Sequence, residues 1–253
     1  MSAAELVHGL HAVQALLARH ASRVIRLYVA RGRDDARVAA VLAAATGAGV
    51  PIERVDTQRL AKLAADATHQ GVVAEVRALP PWNEDALTEA LSALESEGGK
   101  PLLLALDGVQ DPHNLGACLR TADACGALAV IIPKDRAAQL NATVRKVAAG
   151  AAETTPLVVV TNLARCLRDL KTQGVWVVGA EAEGTSRADE IDLTGPIVIV
   201  MGAEGAGLRH NTREHCDFLV RLPSLGAVQS LNVSVAAGML LYEAVRQRAS
   251  ASR

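Results

Sequence analysis

Residues 197–238 read IVIVMGAEGAGLR, HNTREHCD and FLVRLPSLGAVQSLNVSVAAG, and this stretch decides how the rest of the chain is organised. The uncharged run 197–201 predicts a buried strand that enters a glycine loop, Gly202-Ala-Glu-Gly-Ala-Gly207. A second short strand over 218–222 enters a further loop, 223–230, which opens a long helix from about Asn232. Two strand-to-loop transitions so close together can build one pocket with main-chain amides facing inward. Both loops are rich in glycine and small residues, so a flat ligand can lie against the backbone. Glu204, Ser230 and Asn232 are the polar side chains best placed to line such a pocket.

Upstream of that stretch, residues 101–196 repeat a strand–helix rhythm. Strands are expected over 102–106, 127–132, 157–160 and 175–179, with helices over 115–125, over 141–149 and after Asn162. Asn114 is typed to cap the first of these helices, and Gly126 to end it. Strands this uniformly apolar belong in a parallel sheet covered on both faces, so the body is a doubly wound α/β domain. Several chemistries lack their parts in it. Gly202, Gly205 and Gly207 are spaced G-x-x-G-x-G, which is not the dinucleotide fingerprint, and no G-x-x-x-x-G-K-[ST] loop occurs. No serine sits in a G-x-S-x-G elbow, and no histidine pair offers metal ligands.

The first 77 residues also alternate. Leu10, Val13, Leu16 and Leu17 recur at helical spacing, strands are expected over 24–30, 50–55 and 71–76, and helices over 38–45 and 60–63. This predicts a small α/β/α domain. Arg19, Arg23, Arg26, Arg31, Arg33 and Arg37 crowd its first half, as a solvated surface or as a face for RNA. His69-Gln70-Gly71 is either a plain turn or a polar tip that meets RNA. Residues 78–100 change composition: Pro80-Pro81-Trp82 breaks the rhythm, and a helical segment with five acids against one lysine follows. We read 1–77 as one domain, 78–100 as a linker with a helix in it, and 101–253 as the second domain. Charge supports the division, with ten Lys/Arg against seven Asp/Glu in the head and fifteen of each in the body.

The whole chain has 253 residues, half of them hydrophobic, only 2% aromatic and 21% charged, with a net charge of −1. Its core must therefore be built from Ala, Val, Leu and Ile, and charge alone gives no sign of a nucleic-acid partner. The four cysteines form no C-x-x-C pair and read as reduced structural thiols. No stretch has the length or flanks of a signal peptide or membrane span, so cytoplasm is the expected compartment.

Three segments carry a resemblance. LDGVQDPHNLGACLRTADACG (106–126), IVIVMGAEGAGL (197–208) and LPSLGAVQSLNVSVAAG (222–238) are similar to the three signature motifs of the SpoU (TrmH-like) RNA 2′-O-ribose methyltransferases. Any one alone is weak; all three in order are specific. With the small N-terminal domain and PKDRAAQLNATVRKVAAGAAE (133–153), essentially the whole chain resembles bacterial members of the family. Those members methylate a guanosine ribose in the peptidyl-transferase loop of 23S rRNA. The resemblance implies S-adenosylmethionine as methyl donor and a C-terminal chain threaded through a trefoil knot of the SPOUT type, a rare exception to unknotted connections. It also implies a homodimer with its site at the subunit interface. The N-terminal domain would resemble RNA-binding ribosomal-protein domains, and the partner would be 23S rRNA or an assembling large subunit.

Residue by residue, the resemblance places Gly202, Leu222 and Leu231 at positions that hold the cofactor through main-chain groups and apolar contact with adenine. Asn114 and Arg120 match the polar pair of the catalytic centre, Glu204 the acid of the second motif, and Ser230 and Asn232 the polar residues of the third. No metal is implied. Arg120 is assigned as general base in the family, yet guanidinium groups hold their proton. Phosphate binding and stabilisation of negative charge on O2′ suit an arginine better. Taken singly, each residue has an ordinary reading too: Arg120 as a helix-surface arginine, Glu204 as a solvated loop acid, Asn114, Ser230 and Asn232 as caps. Asn141 and Arg145 are either helix cap and surface or RNA contacts, and His113 is left outside the catalytic set. A non-catalytic RNA-binding assembly factor and a tRNA 2′-O-methyltransferase are the alternative functions.

Overall fold

A computed structural model describes residues 4–33, 35–64, 69–77, 81–203, 205–226 and 230–251. The chain divides into two compact units, Met1–Pro80 with Ala149–Thr154, and Pro81–Ala148 with Thr155–Arg253.

The first unit contains β1 (Ala4–His8), α1 (Leu10–His20), β2 (Val24–Ala30), α2 (Ala36–Gly47), β3 (Ile52–Val55), α3 (Thr57–Leu63) and β4 (Val72–Arg77). Its strands form one sheet in the order β1-β4-β2-β3. β4 runs antiparallel to both of its neighbours, and β3 runs parallel to β2. Alternation along β2 builds two cores. Leu27 and Val29 pack with α1 and α2 on one face, while Tyr28 and Ala30 pack with Leu60 of α3 on the other. His69-Gln70-Gly71 serves as a turn here. Gln70 adopts a left-handed φ of 50° and its side-chain oxygen accepts from Leu10 N at 3.1 Å, capping α1 where Gly9 has no side chain to do so.

The second unit contains α4 (Glu84–Ser96), β5 (Leu102–Asp107), α5 (Pro112–Ala124), β6 (Ala129–Pro133), α6 (Ala142–Ala148), β7 (Leu157–Val160), α7 (Leu163–Thr172), β8 (Trp176–Ala180), β9 (Ser186–Arg187), β10 (Ile197–Gly202), α8 (His210–Glu214), β11 (Phe218–Arg221) and α9 (Val233–Ala251). The sheet order is β7-β6-β5-β10-β8-β11-β9, and every neighbouring pair is parallel. All of β5 is buried, with Leu103 and Ala105 in the core shared with α4 and α7. Leu102, Leu104 and Leu106 point to the opposite face, which α5 and α9 cover. A sheet sealed on both faces needs apolar side chains at consecutive positions, which is why these strands carry no alternation. The acidic segment after Trp82 is a packed layer of this unit: Leu87 and Leu91 enter the core, and Trp82 bonds to β7 through its main chain. Asn141 caps α6 by accepting from Val144 N at 3.0 Å.

Helix α9 is held at its far end by Arg248. That guanidinium donates to the carbonyls of Lys100, Pro101 and Gly195 at 3.0, 3.0 and 2.6 Å, tying the last helix to the entry of β5. All four cysteines are free thiols. Burial pushes those of Cys118, Cys166 and Cys216 up to about 12 and raises that of Cys125, so they stay protonated at neutral pH and act as small apolar residues. Among the described residues, no helix is long and apolar enough to cross a membrane.

Candidate active site

The strands that start the two halves of the large sheet, β5 and β10, lie side by side, and Asp107 pairs with Gly202 at their C-terminal ends. The chain leaves β5 towards β6 on one side and leaves β10 towards β11 on the other. Such a reversal of strand order opens a crevice at the carboxyl ends of the strands, the usual ligand site of open α/β sheets. A cavity of ≈ 520 Å³ lies at this end of the sheet, lined by Gly202, Gly205 and Gly207, by Leu222, Ser224, Ser230 and Leu231, and by Glu181, Glu183 and Arg213.

Gly202 is required by space rather than by backbone angle. A Cβ there would overlap the carbonyl carbon and oxygen of Gly207 and the amide nitrogen of Leu208. The loop folds back this closely because Ala203 and Gly207 exchange two main-chain hydrogen bonds, 3.1 and 2.9 Å. Gly205 and Gly207 turn it with left-handed φ of 74° and 66°. Glu204, the acid of the second motif, lies outside the described residues.

Asn232 and Asn114 meet beside the cavity, between its lining residues Leu231 and Val233 and the start of α5. Asn232 caps α9, its Oδ1 accepting from Ser234 N at 2.9 Å and from Ser234 Oγ at 2.6 Å. Acceptance from a main-chain N–H fixes which side-chain atom is oxygen, so Nδ2 is left to donate to Asn114 Oδ1 at 2.9 Å. The expected cap role of Asn114 is corrected. The helix starts earlier, at Pro112, and Asp111 caps it by accepting from His113 N at 2.9 Å. Proline at the first helical position and an acid before it fix that start. Asn114 therefore lies in the first turn, buried, with its side chain committed to the third motif.

Of the residues expected at the site, Gly202, Leu222, Ser230 and Leu231 surround one cavity, and Asn114 is joined to Asn232 at its edge. Arg120 stands apart. It is exposed on α5, is not among the lining residues, and makes no hydrogen bond or ion pair among the described residues. Six positions along a helix rotate a side chain by about 240°, so Arg120 cannot share the face of Asn114. Glu181, Glu183 and Arg213 were not anticipated. The two glutamates follow the end of β8, where the strand-end rule could have found them. Arg213 donates from Nε to both carboxylate oxygens of Glu181 at 3.1 Å, which leaves the lining side chains with one net negative charge among the described residues.

Comparison with known proteins agrees with this geometry. Residues 101–242 match the model of the SpoU rRNA Methylase family, and residues 6–82 match that of RNA 2'-O ribose methyltransferase substrate binding. The chain is 57% identical over 248 residues to the 23S rRNA (guanosine-2'-O-)-methyltransferase RlmB of Pseudomonas aeruginosa, covering 98% of both chains. Among solved structures it is similar to the SpoU methyltransferase AviRb from Streptomyces viridochromogenes, with a TM-score of 0.75, 24% identity and coverage of 98% and 91%. It is also similar to an AdoMet-bound rRNA methyltransferase from Sinorhizobium meliloti, with a TM-score of 0.71, 26% identity and coverage of 96% and 87%. A parallel sheet reversing at β5 and β10, a loop whose first position has room only for glycine, and three motifs in order thus meet in a chain that belongs to the SpoU rRNA methylase family.

Proposed function

We propose that this chain transfers a methyl group from S-adenosylmethionine to the ribose 2′-hydroxyl of a guanosine in the peptidyl-transferase loop of 23S rRNA. The observation that carries the reading is the cavity at Gly202, walled on one side by the main chain of the glycine loop, with the Asn114–Asn232 bond at its edge. The cofactor fits this cavity by charge and shape. Its sulfonium, ammonium and carboxylate sum to one positive charge, opposite in sign to the lining side chains, and its flat adenine suits a wall that has no room for a Cβ. When bound, S-adenosylmethionine supplies a methyl group already activated by positive sulfur. The protein's task is to hold a poorly acidic hydroxyl in line and to favour its oxygen as negative charge develops. Gly202, Leu222 and Leu231 hold the cofactor. Asn114, Asn232 and Ser230 position the ribose, with Glu204 contributing from the glycine loop. Arg120 binds the neighbouring phosphate through its planar fork.

Residues 1–77 serve as the RNA-binding domain and 101–253 as the catalytic domain, acting in the cytoplasm on rRNA or on the assembling particle. A trefoil knot is supported by β11, which runs between β8 and β9 although residues 181–185 alone join those two strands. A Cβ at Gly184 would come within 2.5 Å of Val220 C and 2.7 Å of Arg221 N, so the connection wraps tightly over the strand it encloses. Mapping 2′-O-methyl marks on rRNA from cells with and without this protein tests the activity. A guanosine mark in the 23S rRNA should vanish with the protein. An unchanged 23S map would overturn the reading, and loss of a tRNA mark instead would select that alternative.

A homodimer is supported by α9, which leaves Val235, Met239 and Tyr242 exposed at 51%, 42% and 64%. Their spacing puts them on one helix face. Tyr242→Asp combined with Met239→Lys is expected to shift the sedimenting species from dimer to monomer and to abolish methylation. A doubly substituted protein that sediments like the parent would remove α9 from the interface.

A further inference from the structure

Asp107, at the end of β5 beside Gly202, is a fully buried carboxylate whose side chain has 0% exposure. Burying a charged group is costly unless it is paired and hydrogen-bonded. One oxygen, Oδ2, accepts from Arg209 N at 2.8 Å, which fixes the far end of the glycine loop to the strand that Gly202 pairs with. The other, Oδ1, has no hydrogen-bond partner among the described residues and lies 3.4 Å from Nη1 of Arg209. Gly108, next in the chain, has a left-handed φ of 84°, and a Cβ there would come within 2.9 Å of Arg209 Nη2. The arginine therefore lies over bare backbone. Its side chain stays 43% exposed, and its guanidinium makes no hydrogen bond among the described residues.

We propose that Arg209, seated on Asp107 and Gly108, is a phosphate contact for the substrate RNA at the rim of the cavity. The inference rests on the RNA-methylating function proposed above. A buried anion beneath and a glycine seat hold the guanidinium in place while its side chain stays 43% exposed, which leaves N–H donors free for a phosphate. Lys134 and Arg136, on the loop between β6 and α6, are exposed, and the Arg136 carbonyl brings that loop close to Gly108. Asp135 and Asp111 are the carboxylates nearby in sequence, and Asp111 is occupied as the cap of α5. A strand whose ribose reaches the cavity across β5 and β10 would pass its backbone over this group. Arg209 is thus a binding residue, separate from the polar set that faces the reacting atoms.

The test is equilibrium binding of a 23S rRNA transcript between about 50 and 200 mM KCl, with uptake of S-adenosylmethionine measured separately by calorimetry. Arg209→Gln is expected to weaken RNA binding roughly 5–10-fold at the lower salt and to reduce the log–log salt slope by about 0.7–0.9. Arg209→Lys keeps a cation above Asp107, guards against misfolding, and should keep the parent slope. Uptake of S-adenosylmethionine should be the same in all three proteins. A parent slope in Arg209→Gln overturns the contact, even if the parent protein methylates the transcript. A reduced slope supports the contact, even if the transcript proves not to be methylated, an outcome that would strike only the proposed activity.

Discussion

Arg120→Ala is expected to lower methyl transfer to RNA by about 10²–10³-fold, the range typical of removing one preorganised charge-stabilising donor, with uptake of S-adenosylmethionine unchanged. Arg120 is exposed on α5, outside the cavity lining and without a polar partner among the described residues. Surface substitutions of that kind usually alter stability by less than about 0.5 kcal/mol. A large loss of rate therefore cannot be charged to unfolding, and thermal unfolding of the variant should match the parent. Arg120→Lys separates the possible roles. It keeps the charge but not the planar fork that binds phosphate in a bidentate way, so an intermediate loss is expected. Near-parental methylation with a matching pH profile in Arg120→Lys would count against bidentate phosphate recognition. Because Arg120 and Asn114 point from different faces of α5, the arginine reaches the reacting ribose only along the RNA or from a second copy of the chain. Mixing Arg120→Ala with a protein altered at the cavity, and recovering activity in the mixture, would select the second route.

The framework of the large sheet was legible because its strands obey a physical rule that leaves a local trace. Burial on both faces forces β5 and β10 to be apolar at consecutive positions, and glycines mark where each strand ends. Elements without such a trace were not foreseen. β1 is five residues pairing antiparallel with β4, β9 is two residues held by β11, and α8 reads HNTRE, with no apolar stripe. The start of α5 has a local trace as well. Asp111-Pro112 is a stronger helix-start signal than Asn114, and it leaves Asn114 free for another task. What that task is could not be read locally, because Asn114 and Asn232 are separated by 118 positions. The same holds for the charges of the cavity. Glu181 follows the end of β8 while Arg213 lies on α8, 32 positions away, and only the packing of the β10–β11 connection beside β8 brings them together.

Gly202→Ala should nearly abolish cofactor uptake, and the size of that loss follows from what surrounds the missing Cβ. All three nearest atoms belong to the main chain, two to Gly207 and one to Leu208. A flexible side chain could rotate away, but here the obstacle is a loop closed on itself by the paired Ala203–Gly207 hydrogen bonds. Relief requires breaking that pair or moving the end of β10, which is bonded to both β5 and β8. Overpacking of this kind costs roughly 1–3 kcal/mol or more, and the displaced loop is the cavity wall. Calorimetry is therefore expected to show S-adenosylmethionine affinity lowered by about 100-fold or beyond, with a lower Tm in the unliganded protein. Gly205→Ala is the control. A Cβ there meets nothing within 4 Å, and the only penalty is the left-handed φ of 74°, a strain of about 1 kcal/mol. A lower Tm with modestly weakened uptake is expected in that variant. If Gly202→Ala takes up the cofactor as tightly as the parent and melts at the same temperature, the loop at the end of β10 is not the wall against which the cofactor lies.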